Sequence, residues 1–160
     1  MKTNQKSVYL DTTIPSYYYD KRKSLSFQSK MTRHWWRENS KEYAIYISKT
    51  TIDELSLGHY PNQAKLLKFV SKILYLKPVD EIVTISKYYI DNYLMPNDLE
   101  GDAMHLAYAS FYQIDFLLTW NCNHLANANK KQHIRAINTK LSLSIPEIIT
   151  PLELFKETEV

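Results

Sequence analysis

The chain has 160 residues, of which 44% are hydrophobic and 23% charged, the profile of one folded globule with a real core. Two glycines, Gly58 and Gly101, cannot build a P-loop or a Gly-x-Gly-x-x-Gly dinucleotide turn. One cysteine, Cys122, excludes a disulfide framework and a cysteine-rich zinc module. Apolar runs of four or five residues fall far short of a membrane span. The Met1–Lys6 start lacks the apolar stretch of a signal peptide, so the expected location is the cytoplasm.

The net charge of +3 is unevenly spread: residues 1–41 carry nine Lys and Arg against three acids, and the remainder eleven against fourteen. Basic and aromatic residues interleave around Trp35 and Trp36. Together with Lys21, Arg22, Lys23, Arg33 and Arg37 they suit single-stranded nucleic acid, cations meeting phosphates and rings meeting bases. The competing reading is a solvated helix face with its tryptophans in the core.

In chain order, Val8–Leu10 reads as a short buried strand ending at Asp11. Ile14–Tyr19 reads as a brief helix with Pro15 in its first turn. A helix follows over Met31–Glu42, then a strand over Ala44–Ile47. Thr50 and Thr51 are N-cap candidates for a helix that runs through Leu57 to a stop at Gly58. Asn62–Leu74 is amphipathic, with Ala64, Leu67 and Val70 or Ser71 on one face. Tyr75–Lys77 is a weak strand, followed by helices over 80–94 and 100–112. Phe116–Thr119 forms another strand. Helix returns with a break over 122–141, then a strand at Ile148–Ile149 and a helix start at Thr150-Pro151. Strands alternating with helices imply parallel crossovers, hence an α/β fold whose mostly parallel sheet is covered on both faces. The expectation is one domain over residues 1–160.

Such a sheet places its ligand site at the carboxyl ends of its strands. Asp11 ends the first strand, and Glu54 lies in the first turn of the helix leaving the second. Asp102 begins a helix that runs antiparallel to the strands, and Thr119 and Asn121 close the Phe116–Thr119 strand. Three carboxylates from segments 43 and 48 residues apart therefore share one edge, with Thr12 and Thr13 beside them. Crowded like charges repel, and a cation compensates them. All-oxygen ligands select a hard ion, Mg²⁺ or Mn²⁺, at an open site suited to phosphodiester chemistry.

His105, three residues after Asp102, shares its helical face. With no second carboxylate-x-x-His pair, packing or support is its expected role. Glu100 is an auxiliary acid, while Asp98 reads as a helix-start acid facing water. The thirteen tyrosines could line an RNA surface or a dimer face.

Four stretches, Val8-Tyr9-Leu10-Asp11-Thr12-Thr13, Thr51-Ile52-Asp53-Glu54-Leu55, Asp102-Ala103-Met104-His105-Leu106-Ala107 and Leu118-Thr119-Trp120-Asn121-Cys122-Asn123-His124, resemble a PIN domain of the VapC toxin type. The closing Ile148-Ile149-Thr150-Pro151-Leu152-Glu153-Leu154 resembles that family's end. The resemblance implies a three-layer α/β/α sandwich and a Mg²⁺- or Mn²⁺-dependent endoribonuclease with Asp11, Glu54 and Asp102 on the metal. It also implies a cognate antitoxin and a homodimer. Many PIN domains carry a fourth acid where this chain has Asn121, which implies one firmly held ion rather than two. A catalytically inactive RNA- or protein-binding module is the alternative. A nuclease for structured DNA ranks last, because the chain has no room for the extra modules such enzymes need.

Overall fold

The computed structural model describes residues 4–96 and 100–156, with Glu100 described by its backbone alone. Five strands, β1 (Ser7–Leu10), β2 (Ala44–Ser48), β3 (Leu74–Leu76), β4 (Phe116–Leu118) and β5 (Glu147–Ile149), form one sheet in the order β3-β2-β1-β4-β5. Every pairing is parallel, so each connection must cross a face of the sheet. The helices α1 (Thr13–Tyr18), α2 (Ser26–Glu38), α3 (Lys49–Leu57), α4 (Gln63–Val70), α5 (Asp80–Asp91), α6 (Glu100–Phe111) and α7 (Ala128–Lys140) make those crossings.

Alternation along each strand separates two cores. Tyr9, Leu117 and Ile148 face one side, where Ile82 and Tyr89 of α5, Leu106 and Ala107 of α6, and Ile134 and Ile137 of α7 pack. Val8, Leu10, Leu118 and Ile149 face the other, against Ile14, Trp35, Leu55, Leu66 and Val70 of α1 to α4. The result is a three-layer α/β/α sandwich. The chain winds outward from β1 to β3 with helices on one face, then returns to β4 and β5 with helices on the other. The reversal falls between β1 and β4, the place where such sheets open a crevice at their carboxyl ends. Among the described residues no helix is long and apolar enough to cross a membrane.

Several boundaries differ from the sequence expectation. Helix α2 starts five residues before Met31, because its buried stripe begins with the polar Ser29 and continues through Thr32 to Trp35. Residues 40–42 turn as a short 3-10 segment instead of prolonging it. Helix α4 stops at Val70, four residues short of Leu74, and buries Leu66 and Val70 while Ala64 is exposed. Helices α5, α6 and α7 are each followed by a non-glycine residue with positive φ, namely Tyr93, Gln113 and Ser142, so no glycine marks their ends. Segment 122–127 turns before α7, whose N-cap Asn127 accepts from the Lys130 N–H at 2.9 Å.

Candidate metal and nucleic-acid site

Asp11 follows β1 directly and is 2% exposed, so every lone pair it presents must be met from within the fold. Oδ1 accepts from the Thr13 N–H at 3.0 Å and the Thr13 hydroxyl at 2.5 Å. Oδ2 accepts from the Thr119 hydroxyl. Thr13 Oγ1 accepts in turn from the Trp120 N–H at 2.9 Å, and Thr119 Oγ1 from the Asn121 N–H at 2.9 Å. Two hydroxyls thus stitch the ends of β1 and β4 together around one carboxylate. Burial pushes the Asp11 carboxyl up to about 6, with His105, Thr119 and Thr13 restraining the rise and Asp102 adding to it.

Glu54 reaches the same edge from α3. It is the sixth residue of that helix, so it lies in the second turn and not the first as the sequence suggested. Ser48 is the cap, accepting from the Thr50 N–H at 3.2 Å. Thr51, read as a cap candidate, instead donates to the Leu10 carbonyl at 3.2 Å and ties α3 to the end of β1. The Glu54 carboxylate lies against the start of α6, where Gly101 makes room: a Cβ at Gly101 would meet Glu54 Oε1 at 2.5 Å.

Asp102 is the third residue of α6, and its Oδ2 accepts from Asn121 Nδ2 at 3.0 Å. The Asn121 Oδ1 accepts from the His124 N–H at 3.2 Å. Asn121 therefore bridges β4 to α6 and spends its amide nitrogen on the carboxylate. Burial raises the Asp102 carboxyl, aided by Glu54 and opposed by His105, His124 and Asn121.

His105 lies among these acids, and the structure gives it more than packing to do. Its ring is 1% exposed. Nδ1 is 2.6 Å from the Tyr9 hydroxyl, and Nε2 is 3.4 Å from Thr12 Oγ1 and 3.0 Å from Glu54 Oε1. That glutamate oxygen is buried, and His105 holds it by hydrogen bonding and by charge. Burial disfavours the imidazolium, yet Glu54, Asp11 and Asp102 outweigh it and hold the His105 pKa above its ordinary value. The converse holds at Glu54: burial pushes the carboxyl up, but His105 and Thr12 bring it below the usual range. Beneath the ring, the Tyr9 hydroxyl continues to Ser48 Oγ at 2.7 Å and Thr51 Oγ1 at 3.5 Å. Tyr9 and Ser48 carry no sequence signal of this role, since Tyr9 sits in a strand pattern and Ser48 falls between a strand and a helix; His105 was visible by its spacing from Asp102.

The sequence thus identified residues that share an edge, but the edge is not a closed cage. Among the described residues no three of His, Cys, Asp and Glu form a group able to hold a metal ion as they stand. Asp98 and the Glu100 side chain lie outside the described residues.

The basic N-terminal segment is placed differently from its expected use. Arg22 pairs with Asp20 at 2.7 Å, and Arg33 donates to the Tyr18 carbonyl at 3.2 Å. Lys21, Lys23 and Arg37 are exposed. Trp35 is fully buried, and Trp36 packs on Phe69 with ring centroids 4.7 Å apart, so these rings complete the core and do not form a base-stacking surface. Of the tyrosines, Tyr9, Tyr89 and Tyr108 are core residues, whereas Tyr75 and Tyr93 are exposed. No known protein-family profile matches the chain, and no curated protein matches it significantly.

Proposed function

We propose that the protein is a Mg²⁺- or Mn²⁺-dependent endoribonuclease of the PIN type, and the toxin of a toxin–antitoxin pair. One observation carries the reading. At the topological switch point three carboxylates share one edge with a single imidazole: Glu54 Oε1 lies 3.0 Å from His105 Nε2, and Asp11 and Asp102 act on the ring electrostatically. The donors are carboxylate and hydroxyl oxygens, the chemistry a hard ion takes.

Asp11, Glu54 and Asp102 would hold the ion, which supplies charge compensation for a phosphodiester and acidifies water. Thr13 and Thr119 fix Asp11 through its two oxygens, and Asn121 fixes Asp102. Glu54 directs Oε1 at His105 and its side chain is partly open to solvent. With Asn121 in place of a fourth acid, the edge offers enough charge for one ion.

The decisive test is cleavage of a labelled single-stranded RNA with Mg²⁺ or Mn²⁺, wild type against Asp11→Asn. Loss of cleavage in a folded variant supports the assignment; retained metal-dependent cleavage refutes it. A second reading is an inactive binding module, since among the described residues no three of His, Cys, Asp and Glu stand as a metal-holding group. Metal-independent RNA binding without turnover would select it. Growth arrest on induced expression that vanishes in Asp11→Asn tests the toxin role.

A further inference from the structure

The three consecutive tyrosines of α1 and its end meet different surroundings. Tyr18 and Tyr19 both pack on Phe69, with ring centroids 5.1 and 5.9 Å apart, and so close the core beneath the helix. Tyr17 is half-buried and meets no other ring among the described residues. It stands on the short helix that Asp11 leads into, whose buried residues are Ile14 and Pro15. Burial raises the Tyr17 phenol, opposed by Arg22 and aided by Asp11, Asp20 and Cys122. Its hydroxyl is therefore within electrostatic reach of Asp11 and of the turn that follows β4.

Tyr60 approaches the same edge from the loop between α3 and α4. That loop is braced, because Gln63 Nε2 donates to the Leu55 and Gly58 carbonyls at 2.8 and 2.9 Å. Gly58 gives the ring its seat: a Cβ there would collide with Tyr60 Cε2. The side chain is half-buried. Burial raises its phenol too, and Glu54 and Asp11 add to the rise. Charges act appreciably only on near neighbours, within about a Debye length. One ring thus stands toward the turn after β4 and the other toward α3, with Asp11 acting on both.

A phosphodiester seated at this edge carries a base on each side of it. Half-buried rings held by the fold suit bases that are splayed out, and not bases already paired and stacked in a duplex. We propose that Tyr17 and Tyr60 hold the nucleobases flanking the phosphodiester to be cut, which makes unpaired RNA the substrate. This inference rests on the ribonuclease reading and goes beyond it by naming the residues that grip the strand.

The test is steady-state cleavage in Mg²⁺ of a labelled, unstructured RNA and of the same strand annealed to its complement, with fluorescence anisotropy of the single strand in EDTA. Losing one base–ring stack weakens binding on the order of tenfold. Tyr17→Leu and Tyr60→Leu should each raise KM by about that factor, with the loss falling on KM and not on kcat. Each should also narrow the wild type's preference for single strand over duplex. Tyr17→Phe and Tyr60→Phe restore the ring and should rescue KM. Gly58→Ala keeps Tyr60 but forces its ring off its seat. It should raise KM as Tyr60→Leu does, and it decides the point if that variant does not fold. An unmoved KM in the Leu and Gly58 variants, with cleavage by wild type intact, overturns this inference and spares the ribonuclease reading. Phe variants as weak as the Leu variants overturn stacking. A wild type that binds the single strand without cutting it, and loses that binding in the Leu variants, supports the base contacts and overturns the ribonuclease reading. A wild type that neither binds nor cleaves RNA overturns both.

Discussion

Replacing Asp11 by Asn should make the metal-free protein more stable, and the size of the gain follows from its surroundings. Burial lifts the Asp11 carboxyl from 3.8 to about 6, which at about 1.4 kcal/mol per pH unit is a cost of about 3 kcal/mol for keeping the charge at neutral pH. An amide keeps one oxygen for the two Thr13 donors but turns a nitrogen toward the Thr119 hydroxyl. The lost acceptor costs about 1 kcal/mol. The balance is a gain of about 2 kcal/mol, or roughly 4–8 °C in melting temperature for a chain of this size. The sign also sets the pH dependence. The folded state binds the Asp11 proton more tightly than the unfolded chain, so the wild type recovers this cost as pH falls. The gap between variant and wild type should therefore be widest above about 6 and close as pH falls toward 3.8. Calorimetry in EDTA from pH 4 to 8 measures it. Added Mg²⁺ should stabilise the wild type by mass action and the variant little. A lower melting temperature for Asp11→Asn at pH 7.5 in EDTA, or a gap that widens toward pH 4, would refute the argument.

Two further substitutions separate position from charge. In Gly101→Ala the new Cβ would come 2.5 Å from Glu54 Oε1, so the carboxylate must swing away from His105; the gain in helix propensity of about 1 kcal/mol offsets the lost contact. RNA cleavage should fall at least tenfold with little change in melting temperature, and unchanged cleavage would show that Glu54 need not lie against α6. In His105→Gln the imidazolium is removed. Because the folded pKa of His105 is raised, its stabilisation is fully present below 6.5 and is lost as pH rises through the folded value. The wild type's advantage over His105→Gln in thermal melts should shrink from pH 6 to pH 9, and a constant advantage would mean that His105 acts only by packing.

The sheet, its parallel pairing and its acidic edge were legible because short apolar runs alternate with helical stretches and each run ends in a polar residue. Asp11, Thr119 and Asn121 declare themselves by following strands, and Asp102 by opening a helix. The helix limits were less legible, since a chain with two glycines ends α5, α6 and α7 with Tyr93, Gln113 and Ser142 in left-handed conformation. The start of α2 was hidden because Ser29 and Thr32, not apolar residues, are buried there. The basic and aromatic segment was misleading for a related reason. Composition places charges and rings together, but Trp35 turns inward and Arg22 bonds its neighbour Asp20, distinctions that only packing decides. The chain from Ser48 through Tyr9 to His105 depends on parallel register and could not be read along the sequence.

That buried chain explains how the fold tolerates its own acids. Unscreened, three carboxylates on adjoining elements would repel through a medium of low polarity. A lysine or arginine at the centre would neutralise part of that charge permanently, with a pKa far above neutrality and a long side chain that fills the space. An imidazole compensates only in part, and the compact ring is kept in place by the Tyr9 hydroxyl at 2.6 Å. Tyr9 itself cannot compete for the role, because burial drives its phenol well above its ordinary pKa and keeps it neutral. The protein can therefore fold without a cation while retaining a deficit of positive charge at one edge. A better neutralised edge would give a more stable protein with less attraction for a dication, the trade that Asp11→Asn is expected to make visible.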